Sequence, residues 1–195
     1  MLSKYKWLWR MRGSLRRITF GNYASFVDAH SISELASKMN NLLDPYMNWD
    51  DIAWLREIWK KPLIIKGILH PEDAQKAVDL GVDGIVVSNH GGRQLDTVIS
   101  SINAIPQVVD QVEGKVTVLF DGGIRRGTDV IKALALGANA CLIGRPQVWG
   151  AAIGGRAGVE HMLDILSYEI DMAMGLCGVK AISEISKDLV FERID

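Results

Sequence analysis

Four short apolar runs, each passing into a polar loop, constrain this chain more than any other feature. They are Leu63-Ile64-Ile65, Gly84-Ile85-Val86-Val87, Val116-Thr117-Val118-Leu119-Phe120 and Ala140-Cys141-Leu142-Ile143. Runs so short and so apolar fit strands buried on both faces, the condition of a parallel sheet with helices outside it. An internal repeat supports this. Leu80-Gly81-Val82-Asp83 precedes the second run, and Leu136-Gly137-Ala138-Asn139 precedes the fourth, 56 residues later. In each, glycine stops a helix and a small polar residue turns the chain into a strand. The helices before them open after similar polar turns, His70-Pro71-Glu72-Asp73 and Arg126-Gly127-Thr128-Asp129.

The spacing predicts helices over 71–80, from Thr128 to Gly137 and from about Val159 to Leu176. Upstream, Asn48 is a plausible N-cap with Asp50 and Asp51 in the first turn. Ile52, Leu55 and Trp59 then share a face until Lys61-Pro62 ends the helix. Ser31 and Glu34 have capping-box spacing for an earlier helix ending near Asn40-Asn41. Four strand–helix units make half of a (β/α)8 barrel, or most of an open doubly wound sheet. Such a barrel closes with roughly 250 residues, and this chain has 195. The expectation is therefore part of a larger protein.

Composition is that of an ordinary globular chain, 48% hydrophobic and 23% charged. The net charge of −1 hides an asymmetry: residues 1–20 hold six cations and no acid, and the rest sum to −7. Tyr5, Trp7, Leu8, Trp9 and Phe20 interleave with those cations, a pattern suited to an anionic membrane surface or to a solvated basic loop. Nothing downstream resembles a nucleic-acid module, so nucleic acid is not an expected partner. No apolar run reaches the roughly 18 residues of a membrane span, and no secretory leader is visible. Cys141 and Cys177 lack metal-ligand spacing, so neither a metal site nor a disulfide framework is expected, and a reducing cytoplasm is the default location.

In parallel α/β folds the chemistry sits at the carboxyl ends of the strands. Here those ends are polar: Lys66-Gly67, then Ser88 to Gln94, then Asp121-Gly122-Gly123-Ile124-Arg125-Arg126, then Gly144-Arg145-Pro146. The last two loops combine glycines, which let backbone N–H groups approach an anion, with arginines, whose forks match phosphate oxygens; Thr128 can start a helix just beyond. His90 lies between polar and glycine residues three positions before Arg93, a proton acceptor beside a carboxylate ligand. Lys66 follows its strand, with a Schiff base, anion stabilisation or a salt bridge all open to it. His30, His70 and His161 read as structural, the Trp49, Trp54 and Trp59 series as helix packing, and Met162, Met172 and Met174 as core.

The run Ser88-Asn89-His90-Gly91-Gly92-Arg93-Gln94-Leu95-Asp96 resembles the active-site signature of the FMN-dependent 2-hydroxy-acid oxidases and dehydrogenases. Lys66, Asp121 to Arg125 and Gly144-Arg145 match the family's pattern in order, from about Ser31 onward. The resemblance implies the C-terminal half, strands five to eight, of a TIM barrel in residues 31–195, with residues 1–30 as a basic aromatic loop and candidate membrane contact. It implies His90 as catalytic base and Arg93 as substrate-carboxylate ligand. It implies FMN contacts at Lys66, Ser88, Asp121, Gly122, Gly123, Ile124, Arg125, Gly144 and Arg145. The implied reaction oxidises an L-2-hydroxy acid, L-lactate first, to the 2-oxo acid. His90 takes either the α-proton or the hydroxyl proton. Oxygen, a quinone or a cytochrome accepts the electrons, and a peripheral place on the inner face of the cell membrane follows for a respiratory acceptor. The family's first four strands have no counterpart here, so the chain is expected to be a fragment, inactive unless paired with the missing half or a second copy, and a homo-oligomer when complete. A non-catalytic flavin- or phosphate-binding half-barrel, and related barrels such as isopentenyl-diphosphate isomerase or IMP dehydrogenase, are the alternatives.

Overall fold

The computed structural model describes residues 5, 9, 12, 34, 37, 38 and 44–191. The chain divides into two units, Met1–Asn48 and Trp49–Asp195. In the first, Tyr5 and Trp9 are exposed, the Arg12 guanidinium lies 5.7 Å from the Trp9 ring, and Glu34 pairs with Lys38 at 2.8 Å. The rest of the basic aromatic segment, and most of the helix expected after Ser31, fall outside the described residues.

In the second unit helices and strands alternate: α1 (Trp49–Ile58), β1 (Ile64–Ile68), α2 (Pro71–Asp79), β2 (Gly84–Val87), α3 (Ser101–Val112), β3 (Thr117–Asp121), α4 (Gly127–Ala135), β4 (Ala140–Leu142) and α5 (Arg145–Cys177). The strands form one all-parallel sheet in the order β1-β2-β3-β4. Sequential order follows from each strand returning through a helix to lie beside its predecessor.

The core lies on one face of this sheet. Ile85, Val87, Val118 and Phe120 point to the helices and are at most 2% exposed. They pack with Ala74 and Ala77 of α2, Ala104, Ile105, Val108 and Val112 of α3, and Ala133 of α4. The opposite face is uncovered at its edges, with Ile64 50% and Leu142 40% exposed. The expectation of strands buried on both faces therefore holds only for β2. β3 alternates, and β1 and β4 are open because each is an edge of the sheet among the described residues.

The internal repeat has a structural cause. At the end of α2, Gly81 N–H bonds to Val78 O (2.9 Å) and Val82 N–H to Ala77 O (3.2 Å). At the end of α4, Gly137 N–H bonds to Leu134 O (2.9 Å) and Ala138 N–H to Ala133 O (3.1 Å). Both are Schellman turns, which need a left-handed residue; Gly81 and Gly137 supply it at φ 73° and 100°. The next residue but one then closes a ring with the neighbouring strand. Asp83 donates to Leu63 O and its carboxylate accepts from Leu63 N–H at 2.7 Å. Asn139 donates to Val118 O and its amide oxygen accepts from Val118 N–H at 2.7 Å.

Three features depart from the sequence reading. Helix α3 has no counterpart in it; the buried positions Ile105, Val108 and Val112 carry the helical period through Pro106. Helix α5 starts at Arg145, 14 residues before the expected Val159, and is broken at Gly154 and Gly155, the latter at φ 58°. Its two arms touch through glycines: a Cβ on Gly150 would lie 2.6 Å from Gly158 O. The methionines and tryptophans are less buried than expected. Met172 is 47% exposed and Trp54 60%, whereas Trp49 does pack on the core. Where α4 meets α5, the close approach is made by Gly127 of α4 against the α5 backbone at Glu169 and Ile170. Gly127 approaches so closely that a Cβ would sit 2.3 Å from the Glu169 carbonyl carbon.

Replacing Asn139 by Ala leaves the buried Val118 N–H without its side-chain acceptor. The expected loss is about 1–3 kcal/mol, read as a lower urea midpoint at unchanged slope.

Candidate active site

Strand register brings three side chains together. Val87 pairs with Phe120, which sets Ser88 level with Asp121 at the strand ends. Lys66 pairs with Val86, so it shares a face with Ser88 from one step lower. Sequence reading placed Lys66 after its strand; it lies within β1, and the register shift between Lys66 and Ile68 puts a bulge at Gly67, φ 105°. Bulges re-aim neighbouring side chains.

The Ser88 hydroxyl, 2% exposed, organises the group. It donates to Asp121 Oδ2 at 2.5 Å and accepts from Lys66 Nζ at 3.1 Å and from the His90 backbone N–H at 3.1 Å. One hydrogen and two lone pairs are thereby all used. Lys66 also pairs directly with Asp121 at 2.8 Å. Burial raises Asp121 and is the largest single influence on it. Hydrogen bonds from Lys66 and Ser88, then the charges of Lys66 and His90, outweigh burial and hold the carboxyl below its ordinary 3.8.

His90 opens a turn in which it and the two glycines after it are all left-handed, at φ 55°, 70° and 68°. For histidine that conformation is sterically unfavourable. It is held by the Asn89 side chain accepting from Gly91 N–H (3.0 Å), by Gly92 N–H bonding to Asn89 O (3.0 Å), and by Ser88 from below. Asn89 N–H in turn donates to Ser101 Oγ at 3.1 Å. Ser101, 3% exposed at the start of α3, also faces Gly122, where a Cβ would stand 3.0 Å from Ser101 Oγ. Gly122 is at φ 132° and Gly123 at φ 78°. Asn89 and Ser101 were missed as supports. Asn89 was legible as a residue that bonds its own backbone in turns, whereas Ser101 carried no signal without helix α3.

These elements enclose a cleft of about 460 Å³ lined by Lys66, His90, Gly91, Arg93, Asp121, Gly122, Gly123, Ile124, Leu142, Gly144 and Arg145. Nine of the eleven residues picked from sequence line it. Ser88 lies beneath, and Arg125 lines an adjoining groove with Pro146 and Trp149. Leu142 was not anticipated; it stands level with Asp121.

The start of α4 is not the open anion site that Thr128 implied. Asp129 Oδ2 accepts from the N–H groups of Arg125 and Arg126, both at 3.0 Å. Glu169 of α5 accepts from Gly127 N–H and from Arg126 Nε, both at 2.8 Å. The donors left for an anion in the cleft are those of the Gly122-Gly123 turn and of Gly144-Arg145. Gly123 and Gly144 have open space where a side chain would be, and Arg145 begins α5. Glycine backbone, an arginine fork and a lysine ammonium form a donor set for a phosphate-bearing cofactor, and the cleft volume falls within the usual 300–1,000 Å³ or so of such sites.

A model of the family described as FMN-dependent dehydrogenase matches residues 1–192, and the chain belongs to that family. An L-lactate dehydrogenase of Xanthobacter autotrophicus is 49% identical over 176 residues, covering 90% of this chain and 45% of that enzyme. The solved structure of the monotopic membrane protein (S)-mandelate dehydrogenase superposes with a TM-score of 0.80 at 39% identity, over 86% of this chain and 45% of that one. A mandelate oxidase variant carrying a monooxide FMN adduct gives a TM-score of 0.68 at 47% identity, over 70% and 44%. The four-stranded sheet is thus a partial TIM barrel of the 2-hydroxy-acid family. The chain spans less than half the length of the relatives it matches.

Asp121 stabilises the fold fully above its ordinary 3.8, and that contribution is lost as pH falls below it. Urea midpoints measured while acidifying are expected to fall more steeply for the wild type than for Asp121→Asn.

Proposed function

We propose that this chain supplies the flavin- and substrate-holding part of an FMN-dependent 2-hydroxy-acid dehydrogenase. The carrying observation is the convergence of Lys66, His90, Arg93, Asp121 and the two glycine–arginine loops on one cleft. Bound FMN supplies the two-electron acceptor. Arg145 with the backbone around Gly123 and Gly144 holds its phosphate. Arg125 joins from the adjoining groove, and Gly122 and Ile124 shape the loop around the ribityl arm. Lys66, fixed by Asp121 and Ser88, would supply positive charge to the bound flavin.

Arg93 grips the substrate carboxylate through paired N–H groups, which fixes the hydroxyl-bearing carbon relative to His90. His90 takes a proton from the substrate, and its backbone bond to Ser88 holds the imidazole's attachment point in place. The product is the 2-oxo acid. L-lactate is the favoured substrate, supported by the lactate dehydrogenase relative. Electrons pass on to a quinone, cytochrome or oxygen. The monotopic relative, with Tyr5 exposed and the exposed Trp9 beside Arg12, favours a respiratory acceptor and peripheral contact through residues 1–20 on the inner membrane face. Among the described residues no helix is long and apolar enough to cross a membrane. Residues 1–30 form the contact segment and 31–195 the half-domain, which is inactive alone and joins a homo-oligomer once complete.

The test combines the chain with a polypeptide carrying the rest of the family domain and follows flavin absorbance without oxygen. L-lactate is expected to bleach the bound flavin. His90→Ala should retain flavin while slowing bleaching by about 10²–10⁴-fold. Bound flavin that no L-2-hydroxy acid reduces defeats the substrate assignment and favours a non-catalytic flavin module. Arg145→Ala is expected to weaken FMN by about tenfold or more.

A further inference from the structure

The two anion-binding loops leave different strands, β3 and β4, yet a single phosphate has to meet both. What joins them is α5. Its first arm starts at Arg145, directly after Gly144 in the second loop. The arm turns back at Gly154-Gly155, with Gly150 pressed on Gly158, and the returning arm brings Glu169 to the end of the first loop. There one carboxylate oxygen takes Gly127 N–H and the other takes Arg126 Nε, each at 2.8 Å. Glu169 also lines the groove that holds Arg125, Pro146 and Trp149. Its carboxylate is charge-assisted on both sides, and its side chain is only 22% exposed. The contact is closely packed, since any Cβ on Gly127 would strike the α5 backbone.

We propose that Glu169 is a positioning residue for the cofactor phosphate. It ties the β3 loop to the helix that starts at the β4 loop, and so fixes the distance between the two sets of anion donors without touching the anion. It also draws the Arg126 guanidinium to the outer, helix-side groove, where Arg126 lines a cavity with Tyr168 and Met172. Arg145 and Arg125 are left as the arginines that serve the phosphate. This inference rests on the flavin reading above.

The experiment titrates FMN and riboflavin, which lacks the phosphate, into the full 195-residue chain. The wild type is expected to bind FMN more tightly than riboflavin. Glu169→Gln, which keeps an oxygen for Gly127 N–H but loses the ion pair, should reduce that preference, and Glu169→Ala should reduce it further, by about tenfold. Riboflavin affinity should stay as in the wild type. Arg126→Ala should also lower the preference, since it breaks the same tie from the other side. Asp164→Asn, in the same outer groove but outside the tie, should leave it unchanged. Variants that lose thermal stability yet keep the wild-type FMN-to-riboflavin ratio overturn the inference and leave Glu169 structural. A wild-type chain that does not prefer FMN overturns the phosphate reading itself, and the inference with it. Should Glu169→Ala not fold, the Gln and Arg126 variants decide.

Discussion

The site depends on one buried hydroxyl. Ser88 has a single hydrogen and two lone pairs, and each is committed: to the Asp121 carboxylate, the Lys66 ammonium and the His90 backbone. In a largely desolvated position such bonds are strong, and leaving any of these partners unsatisfied is costly. The hydroxyl therefore couples three neighbouring strands, and the direct Lys66–Asp121 pair closes the triangle. A charged lysine, an ionised aspartate and a left-handed histidine are each unfavourable alone, and together they are mutually supported.

That coupling is possible because the core lies on the other side of the sheet. Ile85, Val87, Val118 and Phe120 face the helices, so alternate residues on the same strands are free to be polar where they reach the carboxyl ends. Register then does the placing. A one-residue slip between β2 and β3 would send Ser88 and Asp121 to opposite faces. At the other end of the sheet the Thr117 N–H bond to Asp83 O (3.1 Å) holds β3 on β2, while the rings closed by Asp83 and Asn139 pin β2 to β1 and β4 to β3.

Much of this was legible in the chain. The apolar runs located β2, β3 and β4 to within a residue and the start of β1, whose end lies three residues further on, and the glycine stops gave the ends of α2 and α4. The residues found by their chemistry lie at the strand ends, apart from Lys66 within β1, and most line one cleft. What stayed hidden was non-local. Helix α3 was not assigned, although its apolar period runs on through Pro106. The early start of α5 was masked by the Gly-rich stretch that turns it back. Glu169 reads in sequence as one more acid on an amphipathic helix, and only the crossing at Gly127 shows what it holds. The exposure of Met172 and Trp54 depends on which side of a helix meets its neighbour, and composition does not report that.

The left-handed backbone at His90 has a consequence for how this chain can change. A glycine there would relax the turn at no steric cost, whereas histidine holds it against a penalty on the order of 1 kcal/mol. A search for more robust variants, in the laboratory or by drift, would therefore tend to replace the imidazole, as it would the other left-handed side chains, Thr97 and Glu113. The most stable version of this loop is therefore a different sequence from the one this chain carries.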